Sequence, residues 1–378
     1  MKIILAPDKY KGSLTGIEFC NVVEKGIKSI ISNAEIVKLP LADGGDGTIE
    51  ILDFHLKVNY IKLKVKDPLF RPIQASYLFI KQTKTAFIEM AEASGMKLLN
   101  SNEQNCMNTS TYGTGELILD AVKRGAKTII LGLGGSATND CGIGMATALG
   151  YKFLDLKNKE IIPIGKNLRQ IEAIDTSNVN KTLKEVTVKV ACDVKNPLYG
   201  QNGAAFIYAQ QKGASQNEII HLNKGLEHIA SIFQKNFNVD IQNIEGAGAA
   251  GGMGAGSIFF LNARLISGID LIKEIINFDK KIKGADWIIT GEGKLDSQTL
   301  SGKTIQGVLT SAKAYNIKVA SLCGDILLAE ESLKSLGFSY TASIMDKAID
   351  VEDAMLNSSK YLYEISSQFA KFINNTTI

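Results

Sequence analysis

The stretch of residues 131–150, LGLGGSATNDCGIGMATALG, constrains the fold of this chain more than any other part of its sequence. An apolar run at residues 128–131 leads into it and predicts a buried strand. Glycines and small polar residues follow, and residues 143–149 predict a short helix that ends at Gly150. This order is typical of phosphate sites in α/β proteins, because glycine lets the backbone pass close to an anion. Asp140 is suited either to cap the helix or to hold a metal. An ordinary tight turn is the alternative.

Apolar runs that end in polar turns recur at both ends of the chain. They predict strands at residues 2–6, 35–39, 287–290, 319–322 and 340–344. We interpret these strands as one parallel sheet that both ends of the chain complete. The polar glycine turns that follow the strands are where open α/β sheets bind ligands. Residues 61–65 alternate instead between polar and apolar side chains and predict a half-exposed antiparallel strand. They mark the entry into an inserted domain with a mixed sheet.

The chain of 378 residues is long enough for one large or two medium-sized domains, and the change of pattern predicts boundaries near residues 60 and 284. Its net charge of +3 is too small to indicate binding to nucleic acid or to an anionic membrane surface. No apolar run is long enough to span a membrane, and the first residues predict a strand and not a signal peptide. The five cysteines are scattered without a C-x-x-C pair, which favours a reducing cytoplasm over a zinc site.

Carboxylates beside glycine-containing turns follow several predicted strands or begin predicted helices. They are Asp43, Asp46, Asp140, Asp193, Glu292 and Asp296. Turns of the same kind contain the lysines Lys11, Lys212, Lys294 and Lys303. Phosphoryl transfer needs carboxylates that hold Mg²⁺ and cations that hold phosphate, and a carboxylate near the acceptor can take its hydroxyl proton. A single Asp beside Gly is more often a turn residue, so the indication comes from the repetition of this chemistry at several strand ends.

Two further glycine motifs are weaker. Residues 301–304 read Ser-Gly-Lys-Thr like the end of a P-loop, but Ser297 stands where the first glycine of that motif belongs. Residues 246–256 contain the letters G-x-G-x-x-G, but residues 239–245 predict only a weak strand. Close helix packing or a close approach of the backbone to a ligand is therefore favoured over a dinucleotide site. The alternative enzyme is an NAD-dependent oxidoreductase of a small hydroxy acid that uses residues 246–251. The alternative of another class is a non-catalytic regulator that binds sugar acids or nucleotides.

Taken in order, these motifs resemble those of the bacterial glycerate kinase family of the two-domain type. The resemblance rests on residues 6–14, 41–48, 111–116, 132–150, 191–198, 211–214, 246–254 and 290–303, and so covers nearly the whole chain. Two positions depart from the family pattern. Asp46 stands where Glu is commoner, and Cys141 stands in the glycine turn where Gly is expected.

The resemblance implies an ATP-dependent kinase that phosphorylates D-glycerate with the help of Mg²⁺, with the 2-hydroxyl favoured over the 3-hydroxyl as the acceptor. It also implies a Rossmann-like parallel-sheet domain from residues 1–60 and 285–378 and an inserted mixed α/β domain from residues 61–284. The active site is expected in the interdomain cleft. ATP and D-glycerate are the expected small-molecule partners. Binding to nucleic acid or to a membrane is not expected, and a homo-oligomer is compatible with the sequence.

The chemistry of the residues supplies a hypothesis for their roles in such a reaction. The candidate catalytic residues are Asp193, Asp43, Asp296 and Lys11. Substrate or phosphate is expected to bind at Asp8, Gly134, Gly135, Ser136, Thr138, Asn139, Glu292 and Lys303. The candidate ligands of Mg²⁺ are Asp43, Asp193 and Asp296. The base is expected to be either Asp193 or Asp43. Lys11 and Lys303 are expected to neutralise the charge of phosphate or of the glycerate carboxylate.

Overall fold

The computed structural model describes residues 1–10, 12–42, 48–56, 58–296 and 304–375. The chain forms two compact units: unit 1 comprises Met1–Leu56 and Ser267–Ile378, and unit 2 comprises Lys57–Ile266. The sequence places the second boundary near residue 284, whereas the structure groups residues 267–284 with unit 1. The reason is packing, because Ile269 lies against Gly307 and the Lys273 ammonium donates to the carbonyl of Gly307 at 3.1 Å.

Within the described residues, the strands belong to two large sheets and two small two-stranded sheets. In chain order they are β1 (Lys2–Leu5), β2 (Glu35–Lys38), β3 (Asn59–Lys66), β4 (Pro72–Ile80), β5 (Thr85–Glu89), β6 (Thr128–Gly132), β7 (Lys152–Leu154), β8 (Ala173–Asp175), β9 (Thr187–Ala191), β10 (Arg264–Ile266), β11 (Trp287–Thr290), β12 (Lys294–Leu295), β13 (Lys318–Cys323), β14 (Asp325–Ile326) and β15 (Phe338–Ser343).

The helices alternate with these strands through much of the chain. They are α1 (Gly16–Lys28), α2 (Thr48–His55), α3 (Ala91–Ser94), α4 (Tyr112–Lys123), α5 (Ile143–Ala148), α6 (Ala204–Tyr208), α7 (Gln216–Phe237), α8 (Ala249–Leu261), α9 (Gly268–Ile275), α10 (Phe278–Lys281), α11 (Thr304–Ala314), α12 (Glu330–Leu336), α13 (Val351–Leu356) and α14 (Ser358–Asn375). In the described ranges, no helix has the length and apolar character needed to cross a membrane.

Unit 1 contains a five-stranded parallel sheet in the order β15-β13-β11-β1-β2, which confirms the sheet predicted from both ends of the chain. The three central strands β1, β11 and β13 are almost entirely buried, as expected for a parallel sheet that helices cover, whereas the edge strands β2 and β15 are partly exposed. Helices α1 and α14 supply part of that cover, with Phe19 and Phe369 fully buried beside Ile3 and Leu5. The strand order reverses between β1 and β11, and open α/β sheets bind ligands at such a point, outside the carboxyl ends of the strands.

Unit 2 contains a six-stranded mixed sheet in the order β10-β9-β6-β5-β4-β3. Strands β10, β9, β6 and β5 run parallel, and β4 and β3 continue the sheet as antiparallel neighbours. The alternating pattern of residues 61–65 therefore lies on the antiparallel edge strand, as predicted. The fold class is α/β, with a parallel-sheet unit built from both ends of the chain and a second mixed α/β unit.

Helix α4 begins at Tyr112 and contains two glycines in its first turn. Both glycines lie in close packing contacts. A Cβ atom on Gly113 would come within 1.9 Å of the Lys66 carbonyl oxygen, and one on Gly115 within 2.4 Å of the Met145 carbonyl oxygen. Glycine is therefore required at both positions by the approach of other segments and not by a turn.

Candidate active site

The turn that follows β6 in unit 2 is fixed along one side and open at its tip. The N–H of Ala137 donates to the Ser94 carbonyl, and the N–H of Met96 donates to the Gly135 carbonyl, each at 2.9 Å. Gly134 and Gly135 are exposed at the tip, and a Cβ atom on Gly134 would meet no atom within 4 Å. Within the described part of the chain, neither glycine N–H donates a hydrogen bond. The tip can therefore present backbone donors to an anion.

Asp140 is fully buried below this turn and serves as its anchor. One carboxylate oxygen accepts hydrogen bonds from the Thr111 N–H and hydroxyl, both at 2.8 Å, and from the Gly144 N–H at 3.2 Å. The other accepts from the Gly142 N–H at 3.1 Å. Burial raises the pKa of Asp140, and these hydrogen bonds act in the opposite direction. Gly142 occupies the N-cap position of α5, and Asp140 contributes to the start of the helix by accepting from the N–H of Gly144 in its first turn.

Cys141 adopts the left-handed backbone conformation, with a φ of 53°. This conformation explains why glycine is expected at the position, since a side chain with a Cβ atom is disfavoured there. The Cys141 N–H donates to the Gly251 carbonyl at 3.1 Å, and the side chain is fully buried. The cysteine therefore occupies a conformation suited to glycine, with some backbone strain.

The glycine-rich segment of residues 246–256 packs against the same turn. A Cβ atom on Gly251 would lie 2.1 Å from the Thr138 carbonyl oxygen, and one on Gly256 would lie 2.3 Å from the Cys141 carbonyl oxygen. Helix α8 is kinked near its start, where residues 250–252 have positive φ angles. Residues 239–245 form no strand, so the strand that a dinucleotide fingerprint requires is absent before this segment. Of the two explanations favoured by the sequence, the structure shows close packing at Gly251 and Gly256.

Lys212 is a buried cation beneath the turn; the sequence placed it among the lysines of glycine-containing turns but gave it no individual role. Its ammonium donates to the Ser136 hydroxyl at 2.7 Å and to the Thr138 carbonyl at 2.8 Å, and the residue is 4% exposed. Burial lowers the pKa of Lys212 to about 8. The available signal was the Gln-Lys-Gly-Ala motif, where Gly213 has a positive φ of 87° and closes the short 3₁₀ helix that contains Lys212.

Three polar side chains near the turn and in α8 are buried without a hydrogen-bond partner among the described residues. They are Thr138, Asn139 and Ser257, at 0%, 1% and 0% exposure, and both polar atoms of the Asn139 amide are unpartnered. A buried polar atom that makes no hydrogen bond costs about 1–3 kcal/mol. Because buried polar atoms are normally hydrogen-bonded, these three side chains are suited to bind a ligand or a water molecule next to the turn.

Asp193 lies at the same edge of the sheet as the turn after β6. It follows β9, which is the parallel neighbour of β6, and Ala191 is in register with Gly132. Asp193 is exposed. Since the carboxyl ends of neighbouring parallel strands meet at one edge, Asp193 and the glycine turn lie at the same edge of the sheet.

In unit 1, the carboxyl ends of the parallel strands border a cavity of about 510 Å³. Its polar lining includes Asp8, Lys9, Glu292, Lys294 and Asp325, and its apolar lining includes Ile344, Met345, Val351, Ala354 and Met355. The Thr304 hydroxyl donates to the Asp8 carboxylate at 2.5 Å, which ties the start of α11 to the loop after β1. Asp296 is half-buried just after β12, which pairs with β14 beside the cavity.

Lys11, Asp43 and Lys303 are predicted site residues that lie outside the described residues. Among the residues that the structure does describe, no three His, Cys, Asp or Glu side chains are grouped to hold a metal ion. The predicted catalytic and metal-binding roles of Asp193 and Asp296 stay predictions, as does the predicted interdomain location of the active site.

Comparison with known proteins supplies the family. A model of the glycerate kinase family matches residues 3–374. The chain belongs to the glycerate kinase family. It is 40% identical over 368 residues to a glycerate kinase from Halalkalibacterium halodurans, a match that covers 97% of each chain. It is 44% identical over 326 residues to a glycerate 2-kinase from Escherichia coli strain K12, a match that covers 86% of each chain.

A solved structure shares the fold of this chain. The crystal structure assigned as glycerate kinase 2 from Salmonella typhimurium LT2 aligns with a TM-score of 0.89 at 37% sequence identity, over 100% of this chain and 99% of the other. Membership of the family makes the chain an enzyme, a glycerate kinase. The family therefore favours the kinase interpretation over the oxidoreductase and over the non-catalytic regulator.

Proposed function

We propose that this glycerate kinase transfers the γ-phosphoryl group of ATP to the 2-hydroxyl of D-glycerate, with Mg²⁺ as the metal. The observation that carries the proposal is the family match over residues 3–374. The choice of hydroxyl rests on the relative from Escherichia coli, which is a glycerate 2-kinase and 44% identical to this chain. The sites at the two sheet edges support the chemistry, since phosphoryl transfer depends mainly on positioning and on the neutralisation of charge.

The cavity of unit 1 is the proposed ATP site. It lies at the carboxyl ends of the parallel strands, where doubly wound sheets bind nucleotides. Its polar residues suit phosphates and their metal, and its apolar residues, which include Ile344, Val351 and Met355, suit a base. Both types of surface are needed to bind a nucleotide, and this one cavity provides them.

The described carboxylates of unit 1 form no group of three that could hold a metal ion by themselves. Mg²⁺ usually binds to one or two protein carboxylates together with substrate phosphates, and Asp8, Glu292 and Asp325 line the cavity while Asp296 lies just beyond β12. One or two of these carboxylates would hold the ion together with the phosphates. When bound, Mg²⁺ neutralises part of the charge on the transferred phosphoryl group.

The turn after β6 is the proposed site for the glycerate anion, and Asp193 is the proposed base. Asp193 is an exposed carboxylate that follows β9, the strand next to β6, and this position supports a role in accepting the proton of a hydroxyl bound at that edge.

All five cysteines are free thiols, which supports our placement of the enzyme in the reducing cytoplasm.

ADP release by the purified protein tests the proposed reaction. The reaction mixture holds Mg-ATP and D-glycerate, and the controls replace D-glycerate by L-glycerate, by tartronate or by no acceptor. We expect release that requires D-glycerate, stops when a chelator removes the metal and resumes when Mg²⁺ is added back. Release that does not depend on any acceptor, from folded protein, would contradict the proposal.

A further inference from the structure

The buried position of Lys212 is unusual for a lysine. An ammonium group loses its hydration when it is buried, and it normally has a carboxylate partner in compensation. No carboxylate forms an ion pair with Lys212 in the described part of the chain, and the carboxylate that acts electrostatically on it, Asp140, already accepts four hydrogen bonds from other groups. Unit 2 therefore holds a positive charge beneath the glycine turn that makes no direct ion pair with the described residues.

Ser136 can transmit the effect of this charge to the exposed side of the turn. Its hydroxyl oxygen accepts a hydrogen bond from Lys212 at 2.7 Å, so its own hydrogen is available to another acceptor. Ser136 adjoins the exposed Gly134–Gly135 tip and is itself 7% exposed. A hydroxyl polarised by an ammonium group is a stronger donor than a hydroxyl alone, because hydrogen bonds in a chain strengthen one another.

We propose that Lys212 is a positioning residue that acts through Ser136 and the Thr138 carbonyl to make the turn a receptor for the carboxylate of D-glycerate. The inference rests on the proposed function, and it assigns a binding site to the carboxylate end of D-glycerate, the phosphoryl acceptor. In this arrangement the Ser136 hydroxyl and the N–H groups of the Gly134–Gly135 tip donate to the carboxylate. Lys212 stays buried and supplies the compensating charge.

A carboxylate fits this turn better than a polyphosphate does. The turn offers one cation and several neutral donors, which match a single negative charge with hydroxyl groups beside it. A triphosphate carries several charges, and the lysines and carboxylates around the unit 1 cavity are the more suitable surroundings for it and its metal. The unpartnered amide of Asn139 adds a donor and an acceptor for a hydroxy acid.

The first test compares Michaelis constants in Lys212→Met and Ser136→Ala. We expect each variant to raise the KM for D-glycerate by about 10- to 100-fold, the usual range for loss of a hydrogen bond to a charged group, and to change the KM for ATP by less than about twofold. Lys127→Met is the matched control, because Lys127 is an exposed lysine of unit 2 that pairs with Glu185 at 3.0 Å. The control should retain both constants.

A double variant tests whether Lys212 acts through Ser136. If it does, Lys212→Met combined with Ser136→Ala should raise the KM for D-glycerate hardly more than the larger single effect. If the two residues acted independently, the KM increases of the single variants would multiply in the double variant. That result would overturn the proposal that Lys212 acts through Ser136. Ser136→Ala removes only one hydroxyl, so it keeps the test valid if Lys212→Met fails to fold.

The pH dependence separates a charged role from a purely structural one. The groups with electrostatic influence on Lys212 are Asp140 and Cys106, and burial raises the pKa of the Cys106 thiol to about 11, so Cys106 stays neutral near pH 8. With the pKa of Lys212 lowered to about 8, the ammonium is present below that pH and lost above it. We expect kcat/KM for D-glycerate to fall above about pH 8 in the wild type and to stay level there in Lys212→Arg, whose guanidinium keeps its charge.

The outcomes distinguish this inference from the proposed function. If the wild type phosphorylates D-glycerate while Lys212→Met and Ser136→Ala both keep its KM, the inference is overturned and the function stands. If the KM for ATP rises in place of that for D-glycerate, the turn binds phosphate and the carboxylate assignment is overturned. Absence of any D-glycerate-dependent reaction in the folded wild type would overturn both.

Discussion

At the scale of single residues, neighbouring polar side chains of unit 2 have different environments and therefore different roles. Asp140 is buried and accepts four hydrogen bonds, so it maintains the fold of the turn. Asn139 is buried and has no partner among the described residues, so it weakens the fold and is suited to bind a ligand. Asp193 is exposed at a strand end, where a carboxylate can meet a substrate. Burial and hydrogen bonding separate these roles, although all three residues are common in turns.

Replacement of Asn139 should separate stability from function. In Asn139→Ala no hydrogen bond to the described residues is lost, and the cost of burying an unpaired amide, about 1–3 kcal/mol, is removed. We expect a melting temperature equal to or above that of the wild type, together with a higher KM for D-glycerate. A clear fall in melting temperature would show that the amide supports the fold and would contradict this account of Asn139.

Asp140→Asn and Asp193→Asn should give opposite results. Asp140→Asn places an NH₂ group against backbone donors, so we expect a loss of about 1–3 kcal/mol of unfolding free energy. Asp193→Asn should leave the melting curve unchanged and lower kcat by a factor of about 10² to 10⁴ if Asp193 is the base. Thermal unfolding and steady-state kinetics on both proteins measure the contrast. Near-normal turnover in Asp193→Asn would remove Asp193 from the catalytic residues.

The sequence predicted the chemistry of the turn but not the charge beneath it. Glycines and hydroxyls next to an apolar run are visible in residues 128–139, and the structure places them at a sheet edge as expected. The contact between Lys212 and Ser136 joins residues 76 positions apart. No local pattern shows such a contact, because a lysine in a polar turn is normally solvated.

At the scale of elements, the glycine turn and the start of α8 form one packed structure. Glycine density in residues 246–256 indicates close approach of backbones, but the sequence does not reveal which backbone approaches. The structure shows that Gly251, Gly252 and Gly256 approach the segment of residues 138–142, whereas Gly248 approaches the Pro197 carbonyl. Each element therefore fixes the other, and the turn remains open only at its Gly134–Gly135 tip.

Two glycine substitutions test this packing. In Gly256→Ala the new Cβ atom would lie 2.3 Å from the Cys141 carbonyl oxygen, so the helix or the turn must shift. We expect a loss of about 1–3 kcal/mol, even though alanine favours helices more than glycine does. The control is Gly134→Ala, whose Cβ atom would meet no atom within 4 Å and should leave the melting temperature unchanged. Equal melting temperatures for both variants would contradict the packing account.

At the scale of the whole molecule, the sequence predicted the fold class well because buried parallel strands produce continuous apolar runs. The five runs at the two ends of the chain are the five strands of the unit 1 sheet, β1, β2, β11, β13 and β15. The segment of residues 267–284 was harder to place, since α9 and α10 are short helices whose sequence does not show which unit they join. Their packing on α11 depends on tertiary contacts such as that of Ile269 with Gly307.

The central claim is that the molecule moves a phosphoryl group from ATP to one hydroxyl of D-glycerate. A proton-coupled ³¹P NMR spectrum of the protein with Mg-ATP and D-glycerate tests this claim most directly. We predict loss of the γ-phosphate signal, growth of the ADP signals and a new phosphomonoester doublet, because phosphorus on the 2-oxygen couples to a single proton. A triplet would place the phosphate on the 3-oxygen and contradict the choice of hydroxyl. Inorganic phosphate alone, or an unchanged spectrum, would contradict the kinase reaction itself.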